Sequence, residues 1–199
     1  ESWVVDRFRK EWYSNCSQIS TEDMFSADVV WIIAPWQWAH IPEQILKEKK
    51  VVCTIHHLVP NKFDYHKLRE FLYRDQFVDL YHVPSEKTKE QVERLTSKPT
   101  FTNPFWVNQN LWVDLPEKED IRKEFNIDKD CYLIGSFQRD TEGSDLKSPK
   151  LEKGPDQFCD AVEEISKIKN VEVLLAGWRR QYVINRLKTA GVKYHYFEL

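Results

Sequence analysis

Short apolar runs rich in β-branched residues alternate with segments of helical spacing along most of the chain. That alternation limits the possible folds more than any other feature. The runs lie at residues 28–33, 51–55, 80–83, 100–102, 131–137, 171–176 and 192–197. Each is long enough for a strand and too short for a helix, and a run without a polar partner on every second residue predicts a strand buried on both faces. Between them, residues 67–77 and 86–95 keep helical spacing, Pro42 suits the first turn of a helix through Glu48, and Ser85 suits an N-cap. Phe158, Ala161, Val162, Ile165 and Ile168 would lay one helix face on a sheet, and Gly191 would cap the helix over 179–189. Strands alternating with helices specify βαβ units and parallel sheets. Residues 104–116 have no period and read as a connection, dividing the chain at 1–112 and 113–199. The expected fold is α/β, with two Rossmann-like lobes facing one cleft.

Several functional classes are disfavoured. A net charge of −3 lacks the basic footprint of a nucleic-acid binder. No apolar run approaches the roughly 20 residues of a transmembrane helix, and residues 1–10 are too charged for a signal peptide. Cys16, Cys53, Cys131 and Cys159 are scattered and form no C-x-x-C pair, which fits a reducing cytoplasmic setting without zinc or disulfides. No G-x-G-x-x-G occurs and glycine totals five, so a nicotinamide or flavin site is not expected.

Ligands in open parallel sheets bind beyond the C-terminal ends of the strands. His56, His57, Ser85, Asn103, Gly135, Arg139 and Gly177 all fall at such ends. The run 131–137 is the most informative, because it feeds a polar loop carrying Arg139 and Lys153, and Lys153-Gly154-Pro155 opens a helix. The start of a helix has unpaired N–H groups and partial positive charge, a guanidinium adds a planar fork, and an ammonium adds a mobile point charge. Together they form an anion site; the plainer alternative is a solvated loop. Asp140, Glu142 and Asp145 read as charges of that solvated loop, and Ser85, Asn103 and Asn108 as cap and turn residues.

The segment Pro104-Phe105-Trp106-Val107-Asn108-Gln109-Asn110-Leu111-Trp112 resembles the Pro-Asn-Gly-Val-Asp-x-x-x-Phe segment ahead of the second lobe in GT-B glycosyltransferases of the retaining family 4 type. Pro104 and Val107 match, Asn108 replaces Asp and Trp106 replaces Gly. Downstream, a short helix, a strand ending at Gly135, Arg139, Lys153-Gly154 and the strand ending at Gly177 follow the family's order. Upstream, 51–56 resembles its strand ending Thr-x-His and 81–85 its strand ending in Ser, so the resemblance spans about residues 28–199.

The resemblance implies a nucleotide-diphosphate sugar as donor and a glycan, lipid or protein as acceptor. Arg139 and Lys153 would hold the diphosphate and stabilise the leaving group in place of a metal. His56 would contact the transferred sugar or the acceptor, with His57, Gly135, Gly154 and Gly177 lining the substrate. No cofactor and no metal are expected, and the location would be cytoplasmic, open to peripheral membrane attachment. The family's Gly-rich first loop and its late pair of Glu residues have no counterpart, so the chain is expected to be the middle part of such an enzyme, with weak donor binding and little transfer. Two rivals use the same residues: a GT-B-type epimerase or phosphorylase, and a non-catalytic interaction or nucleotide-binding domain presenting some of the eight Trp, among them Trp36, Trp38, Trp106 and Trp112. Core or lobe-interface packing is the preferred reading of those Trp.

Overall fold

The computed structural model describes residues 4–110 and 121–198. Leu111, Trp112, the start of the helix expected at 117–125 and the first residues of the one expected at 2–14 lie outside the described residues. The chain divides into two compact units, Glu1–Val113 and Asp114–Leu199.

The first unit opens with α1 (Val4–Cys16), followed by β1 (Val29–Ile32), α2 (Glu43–Glu48), β2 (Lys50–Thr54), α3 (Tyr65–Asp75), β3 (Leu80–Val83), α4 (Glu86–Glu93) and β4 (Thr100–Thr102). The four strands form one parallel sheet in the order β1-β2-β3-β4. One face is a dry core: Val51, Cys53, Tyr81 and Val83 are fully buried against Ile45 and Leu46 of α2, Phe71 of α3 and Val92 of α4. Phe71 stacks on Tyr81 with centroids 5.4 Å apart. As the sequence leads one to expect, Ser85 caps α4, its Oγ accepting from the Thr88 N–H. Asp64 does the same for α3, accepting from Lys67.

The second face is partly polar. Trp31 Nε1 donates to Thr54 Oγ1 at 2.9 Å, Thr54 Oγ1 lies 3.0 Å from His82 Nδ1, and His82 Nε2 lies 2.7 Å from the Asn103 carbonyl. A carbonyl only accepts, so Nε2 carries the proton and Nδ1 takes the threonine hydroxyl. The expectation that β1 is buried on both faces therefore needs correction. It is an edge strand, and Val29 is 51% exposed.

The second unit contains α5 (Ile121–Glu124), β5 (Tyr132–Ser136), α6 (Pro155–Ser166), β6 (Val171–Ala176), α7 (Gln181–Ala190) and β7 (Lys193–Phe197), with a parallel sheet in the order β5-β6-β7. Its centre is β6, whose Val173 and Leu175 are fully buried between Cys159 and Val162 of α6 and Val183 and Leu187 of α7. Two further corrections arise here. β5 is an edge strand with Tyr132 58% exposed, not a strand buried on both sides. The buried face of α6 centres on Cys159 and Val162, while Ala161 and Ile168 are exposed. Gly191 ends α7 at φ +67°, the left-handed conformation that a helix C-cap requires. No helix among the described residues is long and apolar enough to cross a membrane.

Candidate functional site

The loop between β5 and α6 is closed at its base by several bonds. Gln138 Nε2 donates to the Lys153 carbonyl at 2.7 Å, the Lys150 N–H donates to the Asp140 carbonyl at 2.7 Å, and Thr141 forms an antiparallel bridge with Pro149. These bonds bring Arg139 and Lys153 to the C-terminal edge of the second sheet, although 13 residues separate them in sequence. Neither side chain makes a hydrogen bond or ion pair with a described residue. Nearby cations are engaged: Lys150 pairs with Glu152 at 2.8 Å, and Arg179 donates to the Gly143 carbonyl.

Lys153 ends a short 3-10 turn, Leu151–Lys153, and Gly154 follows at φ +63°. This left-handed residue turns the chain into α6, and Pro155 occupies the first helical position, where its missing N–H costs nothing. Asp156 sits in the first turn, where its charge suits the helix dipole, and its buried Oδ1 has no partner among the described residues. Gly177 follows β6 at φ +95°, donates its N–H to the Phe197 carbonyl at 3.0 Å, and passes close to the backbone of Phe137. Gly135 lies within β5 beneath the Phe137 ring, which fills the space a side chain there would need.

Sequence reasoning missed the residues beneath the loop. Asp140 is only 1% exposed, a correction to its reading as a solvated loop charge. Its carboxylate accepts from the N–H groups of Tyr182 and Val183, both at 3.2 Å, and so caps α7 from a distance. Arg180, fully buried, places Nε 3.7 Å from Asp140 and donates from Nη2 to Ser136 Oγ at 2.7 Å. Burial pushes the Asp140 carboxyl up, against the pull of the Val183 N–H, Arg180 and the Tyr182 N–H. One signal was available in the sequence: α7 begins after Arg180, which offers no acceptor for its first N–H groups. Asp145 and Glu142 remain loop residues. Asp145 accepts from the N–H groups of Lys147 and Ser148 and from the Ser148 hydroxyl, and these bonds hold its carboxyl down at about 2.

In the first unit, His56 and His57 follow β2. His57 is exposed. His56 is half-buried, its ring stacked between Trp36 at 6.1 Å and Phe105 at 5.0 Å, with Nε2 2.8 Å from the Ile33 carbonyl. Nε2 therefore carries the proton, leaving Nδ1 as an acceptor. Burial lowers its pKa, against the pull of the Ile33 carbonyl. The unfolded chain then takes up the proton more readily, so this stabilisation is present above about pH 6.5 and is lost as the pH falls through the lower folded value. Thermal midpoints measured from about pH 7.5 to about pH 5 should fall, and His56→Gln should flatten that slope.

Phe105 and Trp106 belong to the segment read as a connection, yet they pack into the first unit. Phe105 stacks on Phe8 of α1 at 4.3 Å, and Trp106 Nε1 and Asn108 Nδ2 both donate to the Glu11 carboxylate, at 2.7 and 2.9 Å. Trp38 packs against Phe77, and Trp36 is half exposed. Beside this cluster lies an open cavity of about 1070 Å3, with Trp12, Trp31, His82, Phe101 and Trp106 in its walls. The cavity belongs to the first unit and the unpaired cations to the second.

No protein-family model matches the chain, and no curated protein matches it in sequence. Among solved structures it is similar to Anabaena HepE, whose crystal structure is in complex with UDP and glucose. The TM-score is 0.59 at 15% identity, over 86% of this chain and 48% of that one. At this identity the likeness concerns the fold: an α/β protein with two Rossmann-like parallel sheets of the GT-B kind. The chain spans about half the length of HepE.

Proposed function

We propose that the protein is a glycosyltransferase moving a sugar from a nucleoside-diphosphate donor to an acceptor hydroxyl. The observation that carries this reading is the bond from Gln138 to the Lys153 carbonyl, which joins the loop segment carrying Arg139 to the start of α6, with neither cation having a partner among the described residues. The fold shared with HepE, which binds UDP and glucose, supports a UDP-sugar as the first donor to test. The second unit would hold the donor, with the Arg139 guanidinium and the Lys153 ammonium on the diphosphate and the Gly154 turn letting backbone N–H groups approach it. In the reaction the bond from the anomeric carbon to the β-phosphate oxygen breaks, and both electrons pass to that oxygen. A bond forms from the same carbon to the acceptor oxygen, and the acceptor proton leaves with the diphosphate. The two cations offset the charge that develops on the leaving group, the role a metal ion fills elsewhere.

The first unit would take the acceptor. His56 Nδ1 is an acceptor atom at a strand end, and the aromatic-walled cavity suits the apolar faces of sugar rings. Transfer with retention, a hexose as the sugar and a cytoplasmic site of action belong to the same reading; four free, scattered cysteines are in keeping with a reducing compartment. Calorimetric titration with nucleoside diphosphates and their sugars tests it. The expected result is binding selective for one base, abolished by Arg139→Ala combined with Lys153→Ala. If no nucleoside diphosphate binds, the reading fails.

A further inference from the structure

We infer that Arg180 and Asp140 form a buried brace whose work is to hold Arg139 in position, making Arg180 a positioning residue for the anion site. The effect on ligand rests on the diphosphate reading above; the brace itself stands on geometry alone. Asp140 directly follows Arg139, and each of its polar groups is engaged. Its N–H donates to the Arg179 carbonyl at 3.1 Å, its carbonyl accepts from the Lys150 N–H at 2.7 Å, and its carboxylate takes the N–H groups of Tyr182 and Val183 in the first turn of α7 and faces Arg180. Arg180 in turn reaches Ser136, the last residue of β5. Residue 139 is therefore suspended between two anchored neighbours, since Gln138 is tied to Lys153 on its other side.

Arg180 cannot touch a ligand, because it is fully buried. It is also costly to keep there: burial works against its charge, and its Nη1 has no hydrogen-bond partner among the described residues. The residue before it carries a second cost. Arg179 sits at φ +62°, in the left-handed region that side chains disfavour, while its carbonyl receives both the Asp140 N–H and, at 3.4 Å, the Thr141 hydroxyl. Such costs persist where the surroundings over-determine a conformation, and they concentrate where geometry must be held. Among the described residues, the hydrogen bonds and ion pair that residues 179 and 180 make with the end of β5 and the loop after it fall on 136, 140, 141 and 143, around Arg139.

A mutant cycle read by UDP titration separates positioning from general destabilisation. Arg180→Met should weaken UDP binding about tenfold when Arg139 is present and less than about twofold when Arg139 is already Ala. Equal losses in both backgrounds, or no loss, would overturn the proposal. Amide hydrogen exchange of the ligand-free chain supplies a readout independent of binding. Arg180→Met should speed exchange at Asp140 and Lys150 while leaving Val173 and Leu175 protected. Unchanged exchange at Asp140 and Lys150 also refutes the brace. If Arg180→Met does not fold, Ser136→Ala removes only one hydroxyl, and the same two measurements decide with the same signs. Should the wild-type chain bind another nucleoside diphosphate but not UDP, the cycle is read with that ligand; should it bind none, the diphosphate reading is lost and the exchange result alone judges the brace.

Discussion

Replacing Arg139 with Ala lowers affinity for UDP by roughly thirty- to a thousandfold, on the basis of two charge-assisted hydrogen bonds to a phosphate at about 1–2 kcal/mol each. The loss is large because the free protein gives Arg139 no acidic partner among the described residues, so binding breaks no internal ion pair. Lys153→Ala should cost less, about tenfold, because a mobile ammonium on an exposed side chain makes a single contact. Both losses should shrink as salt rises, since exposed charges are screened within about 8 Å at physiological ionic strength. Titration of each variant at two salt concentrations is the measurement. An Arg139→Ala protein that binds UDP like the wild type would mean that the guanidinium faces no phosphate.

Phe8→Ala is the second large effect, and it concerns the first unit. Phe8 is 4% exposed, stacks on Phe105 at 4.3 Å and meets Trp106 edge-on at 5.2 Å. Truncating a buried Phe costs about 3–5 kcal/mol, because the vacated space is only partly reclaimed. Here α1 and the 104–108 segment both lean on that ring, so the cavity would lie between two loosened elements. Chemical denaturation should show a lower midpoint, and Trp fluorescence should report the exposure of Trp106. Phe8→Leu, which retains much of the volume, should recover most of the loss.

The arrangement of sheets and helices was legible in the sequence because each strand is a compact apolar run and each helix has its own period. Position within the sheet was not. Residues 132–136 and 171–176 look alike as apolar runs, yet one is an edge strand and the other the centre, because that choice is made by topology rather than by local composition. The face of α6 was read correctly at Phe158, Val162 and Ile165, but Ala161 fits the period without being buried and Cys159 was passed over. Arg139, Lys153 and the glycine turn between loop and helix stand out in the sequence because a strand end and a helix start bracket them and because they are chemically distinctive. Asp140 could not: an acidic residue among Arg139, Thr141 and Glu142 looks solvated until a helix more than 40 residues later is seen to start on it. Glu11 likewise holds Trp106 and Asn108 from about 95 residues away.

The bonds that close the base of the 138–154 loop also separate two timetables of change. Lys150 on Asp140, Lys153 on Gln138 and the bridge from Thr141 to Pro149 lie below the tip, and the exposed residues from Gly143 to Ser148 lie beyond them. Extra residues inserted at such a tip add only the slow logarithmic entropy of a longer loop. The tip can therefore drift in length and composition, or take on a new contact of its own, while the two cations beneath it keep their spacing.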